Sequence, residues 1–270
     1  MQQYKDENVD ELLVRDTRKL SDIYYNVVVL EPAGFEEAIE DEKWQAAMQD
    51  ELNMIEKNNT WELVDRPSHK KPIRVKGVYK TKLNLDGSIN KYKARLVVKG
   101  YEQMLGVDFS ETFAPITRLD TIRMLLAIAT QKGWRIYQLD VKSAFLNGYL
   151  EEEIFFEQPE GFYVKGKEDK VYLLKKALYG LKQAPRAWYG RIDAYLLTLG
   201  CQKSWSEFTF YIKKIKEDNL IVSLYVDDLL VIGNNVGLVN EFKVEMKQVL
   251  EMTYFLGIEV HQQQHDIFIC

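Results

Sequence analysis

An α+β fold is predicted by three features of this sequence. Apolar residues at helical spacing form several separate stretches, strand-like apolar runs lie between them, and the two kinds do not alternate with the regularity of a doubly wound sheet. Hairpin signals recur as well. The chain opens acidic: residues 1–60 carry 15 Asp and Glu against 6 Lys and Arg, without sustained periodicity over the first 31, which read as an acidic, disordered linker with a short strand at 27–30. Folding is expected to begin at Pro32. From there Phe35, Ala38, Ile39, Trp44, Met48, Leu52 and Ile55 recur at helical spacing up to Asn58 and Asn59, which predicts one amphipathic helix. Runs 75–85 and 89–98 flank Asp86-Gly87, a dipeptide that supplies positive φ, so a β-hairpin follows. Ile122, Leu125, Leu126 and Ala129 predict a second helix, stopped by Gly133. Strands at 134–141, 154–157 and 171–174, a helix at 185–199, strands at 208–214, 220–226 and 229–233, a helix at 236–250 and a strand at 255–260 complete the order.

Composition narrows the class. A chain of 270 residues, 46% hydrophobic and 29% charged, can bury a substantial core and is neither collagen-like nor wholly disordered. Its apolar runs stop well short of the 18 or so residues of a membrane span, so no membrane association is expected. Two cysteines 69 positions apart give no disulfide framework, and the default setting is a reducing one. The net charge of -5 hides an asymmetry. Residues 66–99 hold Arg66, Lys70, Lys71, Arg74, Lys76, Lys80, Lys82, Lys91, Lys93, Arg95 and Lys99 against Asp86 alone. Such a segment is either a solvated basic face or a footprint for a polyanion.

The chemistry is carried by acids. In the run 220–233, Asp227 and Asp228 stand between two strongly apolar strands, where two adjacent carboxylates are costly unless a cation compensates them or a turn lets both face water. Asp140 ends another predicted strand beside apolar neighbours. Three carboxylates from two strand ends match the hard oxygen ligands of a two-metal phosphoryl-transfer site, for which Mg²⁺ is the natural ion. His261 and His265 lie in or just past a predicted strand without the Glu a zinc protease needs, and His69 reads as a surface residue. No phosphate-binding Gly-Lys-Ser/Thr loop, Gly-rich dinucleotide turn or nucleophile elbow occurs.

Several ordered motifs then agree at once. Tyr-Val-Asp-Asp at 225–228, Leu-Asp-Val-Lys-Ser-Ala-Phe-Leu-Asn-Gly at 139–148, Leu-Tyr-Gly-Leu-Lys-Gln-Ala-Pro-Arg-Ala-Trp-Tyr at 178–189 and Tyr-Lys-Ala-Arg-Leu-Val-Val-Lys-Gly at 92–100 closely resemble the reverse transcriptase of copia-type long-terminal-repeat retrotransposons. The resemblance covers residues 32–270. It implies a right-hand polymerase fold of fingers and palm, with an antiparallel palm sheet, and a chain that stops before the thumb and RNase H regions. It implies RNA-directed DNA polymerase activity: nucleotidyl transfer from a deoxynucleoside triphosphate (dNTP) to a primer 3′-hydroxyl on an RNA or DNA template. Two Mg²⁺ ions, or Mn²⁺ in their place, would be held by Asp140, Asp227, Asp228 and the Val141 carbonyl. Lys80, Lys93 and Arg95 resemble the side chains that hold the triphosphate, Phe145 the bulky gate against a ribose 2′-hydroxyl, and Gln183 the residue against the nascent base pair. Lys182, Pro185, Arg186 and Tyr225 resemble template and primer contacts, and Leu256 and Gly257 the hairpin that grips the primer end. Other parts of a Pol polyprotein would be partners, in a cytoplasmic, virus-like-particle setting that feeds DNA integration. The alternative is a catalytically inactive remnant that keeps the fold and nucleic-acid binding.

Overall fold

The computed structural model describes residues 31–84, 86–254, 260–262 and 267–269. In chain order its elements are α1 (Phe35–Ala38), α2 (Glu42–Lys57), β1 (Trp61–Val64), β2 (Val75–Leu83), β3 (Ile89–Val98), α3 (Leu119–Lys132), β4 (Arg135–Val141), β5 (Tyr149–Phe156), β6 (Val171–Lys176), α4 (Ala184–Thr198), β7 (Gln202–Lys203), β8 (Phe210–Ile215), β9 (Asp218–Tyr225), β10 (Asp228–Gly233), α5 (Val236–Val249), β11 (Met252–Tyr254), β12 (Val260–Gln262) and β13 (Ile267–Ile269). Helices and antiparallel sheets are mixed, as the α+β reading expects.

A six-stranded antiparallel sheet in the order β11-β4-β10-β9-β8-β7 is the centre of the molecule. Its strands alternate between two apolar faces because side chains on a strand point to opposite sides in turn. On β4 and β10, Leu139, Val141, Leu229 and Val231 join the core under α4 and α5, packed with Trp188, Ile192, Phe242 and Met246. Ile136, Leu230 and Ile232 have the other parity and pack with Leu125 and Ala129 of α3. The Gly133 that closes α3 has φ 65°, a left-handed conformation that glycine adopts without a Cβ clash.

A second core joins α2 to the β2–β3 hairpin and to the three-stranded sheet β1-β6-β5. Trp44 of α2 sits edge-on against both Tyr79 and Tyr92 of the hairpin, with centroids 5.6 and 4.7 Å apart. Such a T-shaped arrangement sets positive ring edges against negative ring faces.

Two features depart from the expected elements. The predicted helix over 35–58 is broken at residues 39–41, because the Asp41 carboxylate accepts a hydrogen bond from the Lys43 amide (2.8 Å) and caps a fresh start. The strand β1 goes unforeseen: four residues are too short for a periodicity signal, and pairing with β6 stabilises them. The strand foreseen at 255–260 lies, except for Val260, outside the described residues; just before it β11 pairs with β4. Strand 27–30 also lies outside the described residues. Glu31, assigned to the linker from sequence, bonds through its carboxylate to Lys80 Nζ and the Thr81 amide, both at 2.8 Å.

The hairpin end is tied to the segment leading into α4, a helix that runs from this second core at Ala184 to the core under α4 and α5 at Trp188 and Ile192. The Val98 amide donates to the Tyr179 carbonyl at 2.8 Å, and a Cβ built on Gly180 (φ +91°) would stand 2.1 Å from the Val98 oxygen. Only glycine permits that approach in that conformation. Gly180→Ala should therefore lower the free energy of unfolding by at least about 2 kcal/mol, read as a lower urea midpoint at unchanged slope.

Candidate active site

The alternation that builds the sheet also brings the acids together. Asp140 of β4 and Asp228 of β10 are direct Cα partners in the antiparallel register. Both share the parity of Ile136, Leu230 and Ile232, at the end of the sheet beyond the α3 contacts, so their carboxylates lie on the side away from the α4–α5 core. Asp227 occupies the two-residue turn between β9 and β10, since Tyr225 pairs with Asp228.

That turn is strained. Val226 has φ 55°, where a β-branched residue costs on the order of 1–3 kcal/mol. Two hydrogen bonds hold it: Trp188 Nε1 of α4 donates to the Val226 carbonyl at 2.6 Å, and the Val141 amide donates to the Asp227 carbonyl at 2.9 Å. Both acidic segments are thus tied to each other through the backbone and to α4 through one indole.

Burial pushes the Asp228 carboxyl above its ordinary range, the neighbouring charges of Asp227 and Asp140 push the same way, and the hydrogen bond from Gln138 Nε2 (3.2 Å) opposes them. Among the described residues no three His, Cys, Asp or Glu side chains close on one point as a ready-made metal cage. Two or three carboxylates at one sheet end are nevertheless a donor set suited to a hard cation that keeps water or substrate oxygens in its other positions.

Across from the acids stands a cationic wall. Asp140, Val141 and Asp227 line a cavity of about 560 Å³ together with Lys82, Lys91, Lys93 and Arg95 of the hairpin and Glu51 of α2. Burial, then the charges of Arg95 and Lys82, lower the Lys93 pKa, so this wall favours an incoming anion. Arg95 is fixed on two sides: Nη1 donates to Glu51 Oε2 at 2.5 Å, and the guanidinium carbon lies 5.0 Å from the Tyr179 ring centroid.

Other residues singled out from the sequence fall elsewhere. Lys80 pairs with Glu31 at 2.8 Å and is not part of the cavity wall, although it is the direct Cα partner of Lys93; Lys82, one step along the same face, lines the cavity instead. Phe145 is half-buried and meets Tyr179 edge-on at 5.3 Å, and it is the Tyr179 ring that faces the cavity. Gln183 is buried, accepts from Gln103 Nε2 (2.9 Å) and donates to the Asp108 carbonyl (2.8 Å). With Arg186 it lines a separate cavity of about 580 Å³ alongside Tyr149, Glu151 and Glu152. Arg186 donates to the Phe113 carbonyl at 3.3 Å. Lys182 lies over the Phe109 ring at 4.6 Å, Pro185 is exposed near the start of α4, and Tyr225 is exposed beside the turn. Leu256 and Gly257 lie outside the described residues. His69 is exposed and 3.0 Å from Glu153.

Sequence reasoning passed over Glu51, Trp188 and Tyr179. A signal existed for Glu51: it interrupts the buried row Ala47, Glu51, Ile55 on α2, where a charge needs a partner. Trp188 and Tyr179 carried none beyond their place in the 178–189 motif.

Residues 58–270 match the family described as reverse transcriptase (RNA-dependent DNA polymerase), and the chain belongs to that family. It is 43% identical over 226 residues to the retrovirus-related Pol polyprotein from transposon TNT 1-94 of Nicotiana tabacum, covering 82% of this chain and 17% of that protein. It is 42% identical over 236 residues to the Pol polyprotein from transposon RE1 of Arabidopsis thaliana, covering 85% and 16%. The chain thus spans about one-sixth of the length of these relatives. A Saccharomyces cerevisiae Ty1-ER2 Gag-Pol polyprotein is 28% identical over 84% of the chain.

A group whose pKa is raised on folding stabilises the protein fully below its unfolded value, and that contribution is lost as pH rises through the folded value. Asp228→Asn in EDTA should accordingly raise the melting temperature at pH 7 by about 2 °C, the gain vanishing toward pH 4. Scanning calorimetry at both pH values checks it; an equal gain at both would remove the carboxylate as its source.

Proposed function

We propose that this chain is the polymerising part of a retrotransposon reverse transcriptase, extending a primer 3′-hydroxyl with deoxynucleotides along an RNA or DNA template. The observation that carries the reading is the pairing of Asp140 with Asp228 across one register, with Asp140 and Asp227 lining a single cavity together with Lys82, Lys93 and Arg95. On this reading the hairpin β2–β3 with α2 forms the fingers, and the six-stranded sheet with α3, α4 and α5 forms the palm of a right-hand polymerase. Template, primer, dNTP and the remaining Pol domains are its partners.

The chemistry follows from the arrangement of charge. The primer oxygen forms a bond to the α-phosphorus, its proton leaves to solvent, and the bond to the β-phosphate oxygen breaks to release pyrophosphate. Asp140, Asp227 and Asp228, with the Val141 carbonyl, would hold Mg²⁺ (Mn²⁺ as substitute), which when bound supplies positive charge to the attacking and leaving oxygens. Arg95 and Lys93 bind and orient the triphosphate, the guanidinium through paired N–H donors and the ammonium as a point charge. Without a cation at neutral pH the acids repel one another, so the site is built to bind one. The Tyr179 ring with Phe145 against it forms the wall on which selection against a 2′-hydroxyl would rest.

Asp140→Asn should lower incorporation of dTTP on a poly(rA)–oligo(dT) template by roughly a thousandfold while circular dichroism and melting stay close to wild type. Arg95→Ala should chiefly raise the apparent KM for dTTP, leaving kcat within a few-fold. Wild-type rates in Asp140→Asn would overturn the assignment. A folded wild-type chain that binds primer-template but never extends it would instead favour the inactive remnant.

A further inference from the structure

Glu51 is the most deeply buried carboxylate among the described residues: its side chain is 2% exposed, and its Oε1 makes no hydrogen bond. Its other oxygen accepts from Arg95 Nη1 at 2.5 Å. Burial raises the Glu51 pKa despite the opposing charge of Arg95, so the pair does not fully offset the cost of taking the carboxylate out of water. A well-packed apolar side chain at this point of α2 would serve stability as well or better. Stability alone does not call for a carboxylate here, and the group that it touches supplies a reason for one.

Arg95 side chain is 27% exposed and is held on separate sides. Among the described residues its hydrogen bonds, to Glu51 and to the Ala94 carbonyl (3.3 Å), both leave from Nη1, and the Tyr179 ring lies against the guanidinium. A guanidinium carries five N–H donors in a fixed fork, so those on Nη2 and Nε remain for a ligand. Arg95, Glu51, Asp140 and Asp227 all line the one cavity.

We propose that Glu51 is a positioning residue for nucleotide binding: by taking Nη1 of Arg95 it fixes the guanidinium so that the Nη2 and Nε edge is presented to two oxygens of a nucleoside triphosphate. The inference rests on the polymerase reading and deepens it, because it assigns a residue of α2, outside every motif of the sequence, to triphosphate recognition. It also explains why the position takes arginine. A lysine ammonium there is a single point charge that the Glu51 carboxylate would occupy, leaving no second edge for phosphate.

The test is equilibrium binding of dTTP with Mg²⁺ to the full 270-residue chain by titration calorimetry, on wild type, Glu51→Gln, Arg95→Ala, the double variant and Arg95→Lys. Glu51→Gln should weaken dTTP binding by about five- to tenfold, since a charge-assisted bond that orients the ligand-binding group is lost. In the Arg95→Ala background the same substitution should weaken it no further, and the melting temperature of Glu51→Gln should equal or exceed that of wild type. Arg95→Lys should bind dTTP as weakly as Arg95→Ala, an arm that does not depend on how Glu51→Gln folds. Undiminished affinity in Glu51→Gln, an equal further loss in the double variant, or near-wild-type affinity in Arg95→Lys would each overturn the positioning role while leaving the polymerase reading intact. A folded wild-type chain that binds no dTTP would overturn both.

Discussion

The register between β4 and β10 is the constraint on which the rest of the structure depends. Both strands have apolar residues on two faces, one packed under α4 and α5 and the other under α3. Because the period of a strand is two, a slip of either strand by one residue would exchange its faces, sending Asp140 or Asp228 into the α4–α5 core and Leu139 or Leu229 to the open side. Burial of a carboxylate without a partner costs several kcal/mol, and each displaced leucine forfeits roughly 2 kcal/mol of burial. The force that aligns the acids is thus the ordinary hydrophobic effect acting on their neighbours, and the acids themselves contribute repulsion.

From that alignment the remaining geometry follows in sequence. The strained turn at Val226 holds Asp227 beside the pair, and the turn is kept in place by Trp188, which α4 delivers from the opposite core. The segment that precedes α4 contains Tyr179 and Gly180, whose contacts with Val98 bring the hairpin up to the sheet. One stretch of chain, 178–189, therefore fixes the distance between the cationic wall and the carboxylates. Its length as a motif reflects two contacts made at its two ends.

Much of this was legible in the sequence, for identifiable reasons. The hairpin is announced by Asp86-Gly87, α3 by its apolar spacing and Gly133, and the acids by their position inside apolar strands, where charge is anomalous. What stayed hidden depends on partners distant in the chain. The break before α2 turns on a single capping carboxylate, Asp41, inside a stretch whose apolar spacing runs on unbroken. The exchange of Lys80 for Lys82 at the cavity reflects Glu31, a residue that composition assigned to the leader. Glu51 could have been flagged as a charge on an apolar helix face, yet its partner lies 44 residues away and pattern alone does not name it. Gln183, which motif similarity placed near the incoming base, is directed by Gln103 and Asp108 toward a different cavity from the one the acids line.

Strand order also has a consequence for how such a chain comes into being. β4 is an interior strand of the sheet, yet its neighbours on the two sides, β10 and β11, are made about 90 and about 110 residues later. While a ribosome synthesises the chain from its N-terminus, the hairpin and the β1-β6-β5 sheet have their strand partners once residue 176 has emerged and the core they share with α2 once Ala184 has, whereas Asp140 waits on an unpaired strand. Contacts of such long separation form slowly and leave open strand edges in the meantime. The half that carries the cationic wall can therefore be assembled before the carboxylates are brought together, and the cluster of acids is completed only when residues 228–254 thread alongside β4.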